Sequence, residues 1–386
     1  MIKICFITGS RAEYGLLKNL MLSLKKKKNY KLQLIVSCMH LSKKFGNTIN
    51  EIKDDGFKTN IKVNLNIKDD KPNDICKYVG TGVEKFSDAF KKLKPNYIVV
   101  LGDRFEIFSA STAALIHNIP IIHLHGGELT ESLIDDAFRH SITKMSTFHF
   151  VANKVYYKRV RQLGENPNNI FNVGGMGVDS IKKTHLLKKR DIEKKLKFKF
   201  LPKNLLITYH PETLSKQDTK KGIENLLKSL KKLKNTRLIF TASNADTYGD
   251  YINKKIKTFV KNNKKAYFFY SLGSVNYYSC LKYIDAVIGN SSSGIAEVPT
   301  FKKFTINIGN RQKGRLKAKS ILDCSTNLKE IKKCLEFIYS PLSRKILKKT
   351  INPYGTGNTS NKILKKLDDL IKRRKNLPKK FFDIRI

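Results

Sequence analysis

The sequence predicts an α/β protein built from two doubly wound parallel sheets. Apolar runs of strand length recur along the chain, and segments with helical spacing lie between them. After a polar, lysine-rich stretch near 181–203 the same alternation begins again.

The first run, IKICFIT (2–8), is apolar almost throughout, as a strand buried on both faces must be. RAEYGLLKNLMLSLKK follows and sets Leu16, Leu17, Leu20, Met21 and Leu24 on one helical face. KLQLIVS (31–37), NYIVVLGD (96–103) and IPIIHLHGG (119–127) are further strands, the last two separated by the small-residue helix IFSASTAALIHN. FHFVA (148–152) and IFNVGG (170–175) complete the first series. LLITYH, RLIFTAS, AYFFYS, DAVIGN and KFTINIG make a second, with a helix expected at 246–262. NTSNKILKKLDDLIKRRK (358–375) has a capped start and an apolar face of Ile363, Leu364, Leu367, Leu370 and Ile371. The expected organisation is a Rossmann-like domain over 1–178, a second over 179–357, and a helix and tail over 358–386 packing back on the first. Two such halves are expected to leave a central cleft at the carboxyl ends of their strands, where ligands bind in open α/β sheets.

Composition narrows the classes. The formal net charge is +44, yet lysine is spread through every segment, as in KKKK (25–28), KKLK (231–234) and IKRRK (371–375). A nucleic-acid binder concentrates its charge on one face or arm, so no nucleic-acid partner is expected. A positive field still draws in a nucleotide diphosphate. No apolar stretch reaches membrane length and the amino-terminal run is short, so no membrane association and a cytoplasmic location are expected. The six cysteines lack C-x-x-C or zinc-finger spacing, which predicts buried free thiols with neither disulfide nor structural zinc.

The unusual polar residues follow strands. TGSRAEYG comes after the first, GDR and HLHGGE end two more, and YHPE, TASNAD and GNSSSG follow strands of the second series. Acid–base candidates fall in the first half. Asp103 ends an apolar strand beside Arg104, His123, His125 and Glu128 end the next, and Asp135 and Asp136 open a helix that carries Arg139 and His140. A strand-end carboxylate is an expected place for a base, whereas acids opening a helix can merely complement its dipole. His123 and His125 would share one side if their strand continued, which leaves a metal site open, though without a matched carboxylate triad.

In the second half, GNSSSGIAE clears bulk from a strand end and leaves hydroxyls and backbone N–H groups outward. One serine suffices for a helix cap, so Ser292, Ser293, Gly294 and Glu297 read as a nucleotide cradle. His210 follows a strand directly, and Arg311 and Arg315 supply cations or plain surface charge.

These stretches together resemble the hydrolysing UDP-N-acetylglucosamine 2-epimerases, in particular their bacterial sialic-acid branch. The matching residues are TGSRAEYGLL (8–17), VLGDRFEIFSA (100–110), HLHGGE (123–128), DDAFRHSITKMS (135–146), YHPETLS (209–215), SNAD (243–246), GNSSSGIAEVP (289–299), INIGNRQKGR (306–315) and FFDI (381–384). The resemblance implies a glycosyltransferase-B-like pair of Rossmann domains and a reaction that breaks the anomeric bond to UDP, inverts carbon 2 and passes through a glycal. It implies no cofactor, a nucleotide-sugar partner and a homo-oligomer, dimer or tetramer. It implies acid–base roles for Asp103 and Asp136 with Asp135 beside them, a phosphate-proximal Arg11, a leaving-group His210, and UDP contacts from Ser292, Ser293, Gly294 and Glu297, with Asn244 and Arg311 in matching motifs. Several relatives carry a catalytic glutamate where this chain has His125, so either His125 or Glu128 takes that role. A sister branch acts on a nucleotide-linked 2,4-diacetamido-trideoxy sugar toward legionaminic acid, and a UDP-sugar glycosyltransferase of the same fold is the alternative of another class.

Overall fold

A computed structural model describes the chain apart from residues 44–45, 68, 70, 131–133, 213–215, 244–247, 374–378 and 385–386. It divides into two compact units. The first comprises Met1–Glu128, Asp135–Lys182 and Tyr354–Ile386; the second comprises Leu129–Ile134 and Lys183–Pro353.

The described strands of the first unit are β1 (Ile2–Thr8), β2 (Tyr30–Ser37), β3 (Ile61–Val63), β4 (Tyr97–Leu101), β5 (Ile121–Leu124), β6 (Phe148–Val151) and β7 (Ile170–Asn172). They form one sheet in the order β3-β2-β1-β4-β5-β6-β7, with every pairing parallel. The apolar residues of β1 serve both faces: Ile4 and Phe6 join one core, Cys5 and Ile7 the other. The first core also takes Leu17, Leu20 and Leu24 of the helix Arg11–Lys25 and Ile363, Leu364 and Leu367 of the helix Thr359–Arg373. Beyond that helix, Lys379 pairs with the buried Glu165 at 2.7 Å, and the Phe382 N–H donates to the Gly164 carbonyl. Gly164 is required there, because a Cβ would lie 2.2 Å from the Phe381 ring.

In the second unit β8 (Lys203–Thr208), β9 (Thr236–Thr241), β10 (Ala266–Phe269), β11 (Ala286–Gly289), β12 (Phe304–Ile308) and β13 (Ile321–Cys324) pair in the order β10-β9-β8-β11-β12-β13, again all parallel. Both sheets therefore have the Rossmann order, with a topological switch point between β1 and β4 and another between β8 and β11. Of the four edge strands, β3 and β13 escape the apolar-run criterion. Each is three or four residues long and carries an exposed charged residue, Lys62 or Asp323.

The cysteines are free, as expected; Cys5, Cys38, Cys280 and Cys324 are buried, Cys334 is half-buried and Cys76 is exposed. No helix among the described residues is long and apolar enough to cross a membrane.

Candidate active site

In the first unit the polar residues gather where the switch point puts them. After β1, Ser10 caps the helix Arg11–Lys25, and Glu13 closes the capping box by accepting the Ser10 N–H at 3.3 Å and also accepts the Gly9 N–H at 2.8 Å. Arg11 opens that helix, half-buried. A Cβ on Gly9 would sit 2.1 Å from Glu106 Oε1, so only glycine admits that carboxylate. Glu106 is fully buried and accepts from Arg104 Nε at 2.8 Å. Burial, and then the neighbouring Glu106 charge, push the Glu13 carboxyl up to about 8.

Asp103, after β4, is paired not with its neighbour Arg104 but with Arg139, 36 residues on. Arg139 is only 1 % exposed, and its guanidinium also donates to Asp136 Oδ1 and to the Glu128 carbonyl, both at 3.0 Å. One buried cation thus gathers Asp103, Asp136 and the backbone of Glu128. Its helix, Asp135–Met145, starts with Asp135 and Asp136, and Asp136 also meets His140 Nε2 at 3.4 Å. An arginine buried to this degree requires such partners, since an unpaired internal charge is strongly unfavourable.

The loop after β5 overturns the shared side expected of His123 and His125. The strand ends at Leu124, and His125 takes a left-handed φ of 65°, which breaks the alternation. His123 is fully buried; its Nε2 lies 2.9 Å from the Gly102 carbonyl, and burial lowers its pKa to about 3. His125 turns elsewhere: Nδ1 is 2.9 Å from Glu128 Oε1, and Nε2 accepts the Met176 N–H at 3.1 Å. A backbone N–H can only donate, so Nε2 is bare and the ring proton sits on Nδ1, facing Glu128. Gly127 makes the turn possible, with φ of 78° and a position where a Cβ would meet the Tyr156 carbonyl at 2.6 Å. Among the described residues no group of three His, Cys, Asp or Glu side chains is arranged to hold a metal ion.

In the second unit His210 follows β8, buried, with Nδ1 3.4 Å from the Ser243 hydroxyl. Its backbone is held on both sides by the Asn290 amide, which accepts from His210 N at 2.7 Å and donates to His210 O at 2.8 Å. The Asn290 carbonyl in turn accepts from Arg311 Nη1 and Gln312 Nε2. Past Asn290 the chain enters the short helix Ser292–Ala296, and Ser291 at its start makes no side-chain cap. Ser293 donates to Glu297 Oε2 and lies 2.7 Å from the Tyr277 hydroxyl, while Tyr278 donates to Glu297 Oε1 at 3.1 Å. Gly294 has a packing reason of its own: a Cβ would lie 2.7 Å from Thr305 Cγ2. Asn244 lies outside the described residues.

Sequence reasoning missed Arg139 as the hub, Glu212 and Asn290 as loop holders, and Tyr277 and Tyr278 as partners of the serine turn. Glu212 and Asn290 stand inside YHPE and GNSSSG, so their motifs pointed to them, but their partners are tens of residues away.

Residues 22–368 match the family model described as UDP-N-acetylglucosamine 2-epimerase. Over 326 residues, 84% of this chain and 85% of the relative, the chain is 46% identical to a Campylobacter jejuni protein named GDP/UDP-N,N'-diacetylbacillosamine 2-epimerase (hydrolyzing). It is 39% identical to polysialic acid biosynthesis protein P7 of Escherichia coli, covering 100% of this chain and 98% of the relative. Its fold superposes on the Neisseria meningitidis UDP-GlcNAc 2-epimerase, solved bound to UDP-GlcNAc, with a TM-score of 0.80 at 18% identity over 96% of this chain and 100% of that one. The fold is thus α/β of the glycosyltransferase-B-like kind. With a family model spanning most of its length and a relative named as hydrolysing at 46% identity, the chain belongs to the hydrolysing UDP-N-acetylglucosamine 2-epimerase family.

Proposed function

We propose that the chain converts a UDP-linked 2-acetamido sugar and water into the free 2-epimer and UDP, with UDP-N-acetylglucosamine as substrate and N-acetylmannosamine as product. The observation that carries this is the grouping of Asp103, Asp136 and the Glu128 backbone on the buried Arg139. Inverting carbon 2 needs a base on one face and a proton donor on the other, and simple glycosyl transfer needs neither.

In this reading Asp103 removes the proton at carbon 2 while the anomeric C–O bond breaks and its electrons leave with UDP. Water then adds at carbon 1 of the glycal, and a proton returns to carbon 2 from the opposite face. Glu128 carries that proton, with Asp135 and Asp136 beside it, and His125 holds Glu128 in place because its own ring nitrogens are committed to Glu128 and Met176. Arg11, His210, Arg311, Ser292, Ser293, Gly294 and Glu297 are assigned to UDP. His210 and the two guanidiniums face the charge developing on the departing diphosphate, the guanidiniums offsetting it. A cytoplasmic homo-oligomer supplying nonulosonate biosynthesis of the sialic-acid type goes with this reading.

A second reading of the sugar, the nucleotide-linked 2,4-diacetamido-2,4,6-trideoxyglucose on the way to legionaminic acid, is favoured by the 46% identity to the relative named for diacetylbacillosamine. One experiment tests both. Each nucleotide sugar is incubated with the protein in deuterium oxide and the freed sugar is read by NMR. The proposal expects UDP release and deuterium at carbon 2 of the epimer. Protium retained at carbon 2 rules out the elimination, and release of intact UDP-linked epimer rules out hydrolysis.

A further inference from the structure

Three loops at the carboxyl edge of the second sheet are tied together by two buried polar side chains that the reaction itself does not use. The ladder between β8 and β11 ends at the Thr208–Gly289 pair, where Gly289 has φ of 131° and a Cβ would lie 2.0 Å from the Thr208 carbonyl. One residue further, the Asn290 side chain takes over the ladder's work with its bonds to the His210 N–H and carbonyl. Asn290 is 1 % exposed, and its backbone carbonyl receives Arg311 at 3.2 Å and Gln312 at 2.8 Å.

Glu212 supplies the return connection. It is also 1 % exposed, and its Oε1 accepts the Asn310 N–H at 2.8 Å. Gly309 makes room for that oxygen, since a Cβ there would sit 2.2 Å from it. The Glu212 backbone is itself fixed, its N–H donating to the Thr219 hydroxyl at 2.9 Å. Burial raises the Glu212 carboxyl, and the N–H groups of Asn310 and Arg311 oppose that shift. The result is a closed circuit from His210 to Asn290, to Arg311, to Asn310 and back to Glu212, two residues from where it began.

We propose that Glu212 and Asn290 are positioning residues, which clamp the loops after β8, β11 and β12 into one rigid rim and so set His210 and Arg311 for the diphosphate of the nucleotide sugar. This rests on the function proposed above. Neither side chain touches the substrate. Each removes the freedom of a group assigned to UDP, so that binding UDP does not have to order the loops first.

The test measures UDP affinity by calorimetry alongside the melting temperature. Asn290→Ala and Glu212→Ala raise the UDP dissociation constant about tenfold, the loss of one or two net hydrogen bonds' worth of order. Glu212→Gln keeps an acceptor oxygen for Asn310 and restores affinity to within about threefold of the parent, an outcome a general packing defect would not give. Because the Asn290 side chain acts through His210, Asn290→Ala added to His210→Ala costs little beyond His210→Ala alone. Folded alanine variants that bind UDP like the parent, or double-variant losses that multiply in full, overturn the clamp. If the alanine variants do not fold, Asn290→Asp carries the test. It keeps the acceptor for the His210 N–H and loses the donor to the His210 carbonyl, so undiminished affinity in that variant refutes the clamp. A parent that binds no UDP refutes the function proposed above, whereas a parent that binds it beside equally competent variants refutes the clamp alone.

Discussion

The Nε2 of His125 accepts the backbone N–H of Met176. That bond fixes the tautomer and aims the remaining ring proton at Glu128. In the proposed reaction Nε2 stays an acceptor, and His125 orients Glu128 rather than carrying the proton. Glu128→Gln is therefore expected to lower turnover by about 100- to 10,000-fold, the range of a positioned proton transfer. His125→Gln should cost less, because an amide can still donate to Glu128. Steady-state rates of the two variants decide it, and the reverse order would make the imidazole the proton carrier.

Asp103 bears on the same chemistry from the other side. Asp103→Asn keeps the shape and an oxygen for the Arg139 guanidinium but removes the basic carboxylate. Turnover should fall by about 100- to 10,000-fold while UDP affinity by calorimetry stays at the parent value. A variant that keeps its rate would move the base to Asp135 or Asp136.

Glu297 sits at the centre of a hydroxyl network, with Ser293 on one oxygen and Tyr278 on the other. Glu297→Ala removes an acceptor and leaves both hydroxyls to find new partners. UDP affinity should drop by about 1–3 kcal/mol, the cost of an unmade polar contact. Calorimetry showing unchanged affinity would take the serine turn out of nucleotide binding.

Glu13 makes stability depend on pH in a predictable sense. Its folded carboxyl is pushed up to about 8 from 4.5, so between those values the folded chain holds a proton that the unfolded chain has released. Stability from this group is therefore greatest at the acidic end and declines as pH rises through that window, by at most about 1.4 kcal/mol per pH unit. Glu13→Gln has no such proton to lose. The urea midpoint of the parent should fall relative to that of the variant between pH 5 and pH 8, and parallel trends would show that Glu13 is ionised in the fold.

The strands of both sheet centres were legible because burial on two faces leaves an unbroken apolar run, as in Ile2–Thr8 and Tyr97–Leu101. The positions of the polar loops were legible for the related reason that parallel strands deliver their carboxyl ends to one edge. The edge strands Ile61–Val63 and Ile321–Cys324 were not, since a strand with one open side need not be apolar throughout. Partners were hidden most deeply. Nothing local to Asp103 announces Arg139, and nothing in YHPE shows that His210 is held by an asparagine 80 residues away. His125 misled through a single dihedral, because a left-handed residue at a strand end reverses the side its side chain takes.

The helix Thr359–Arg373 completes the core of a unit whose other segments were synthesised long before it. A ribosome making this chain delivers β1 to β7 and then the entire stretch Lys183–Pro353 before Ile363, Leu364 and Leu367 emerge. During that interval Leu17, Leu20 and Leu24 have no lid, and the nascent first unit exposes an apolar surface that a chaperone could recognise. The second unit has no such wait, because all but a short stretch of it is contiguous and its own core is available as soon as it is made. The core residues of the second unit are thus all made before the last of those of the first, although the first is begun earlier.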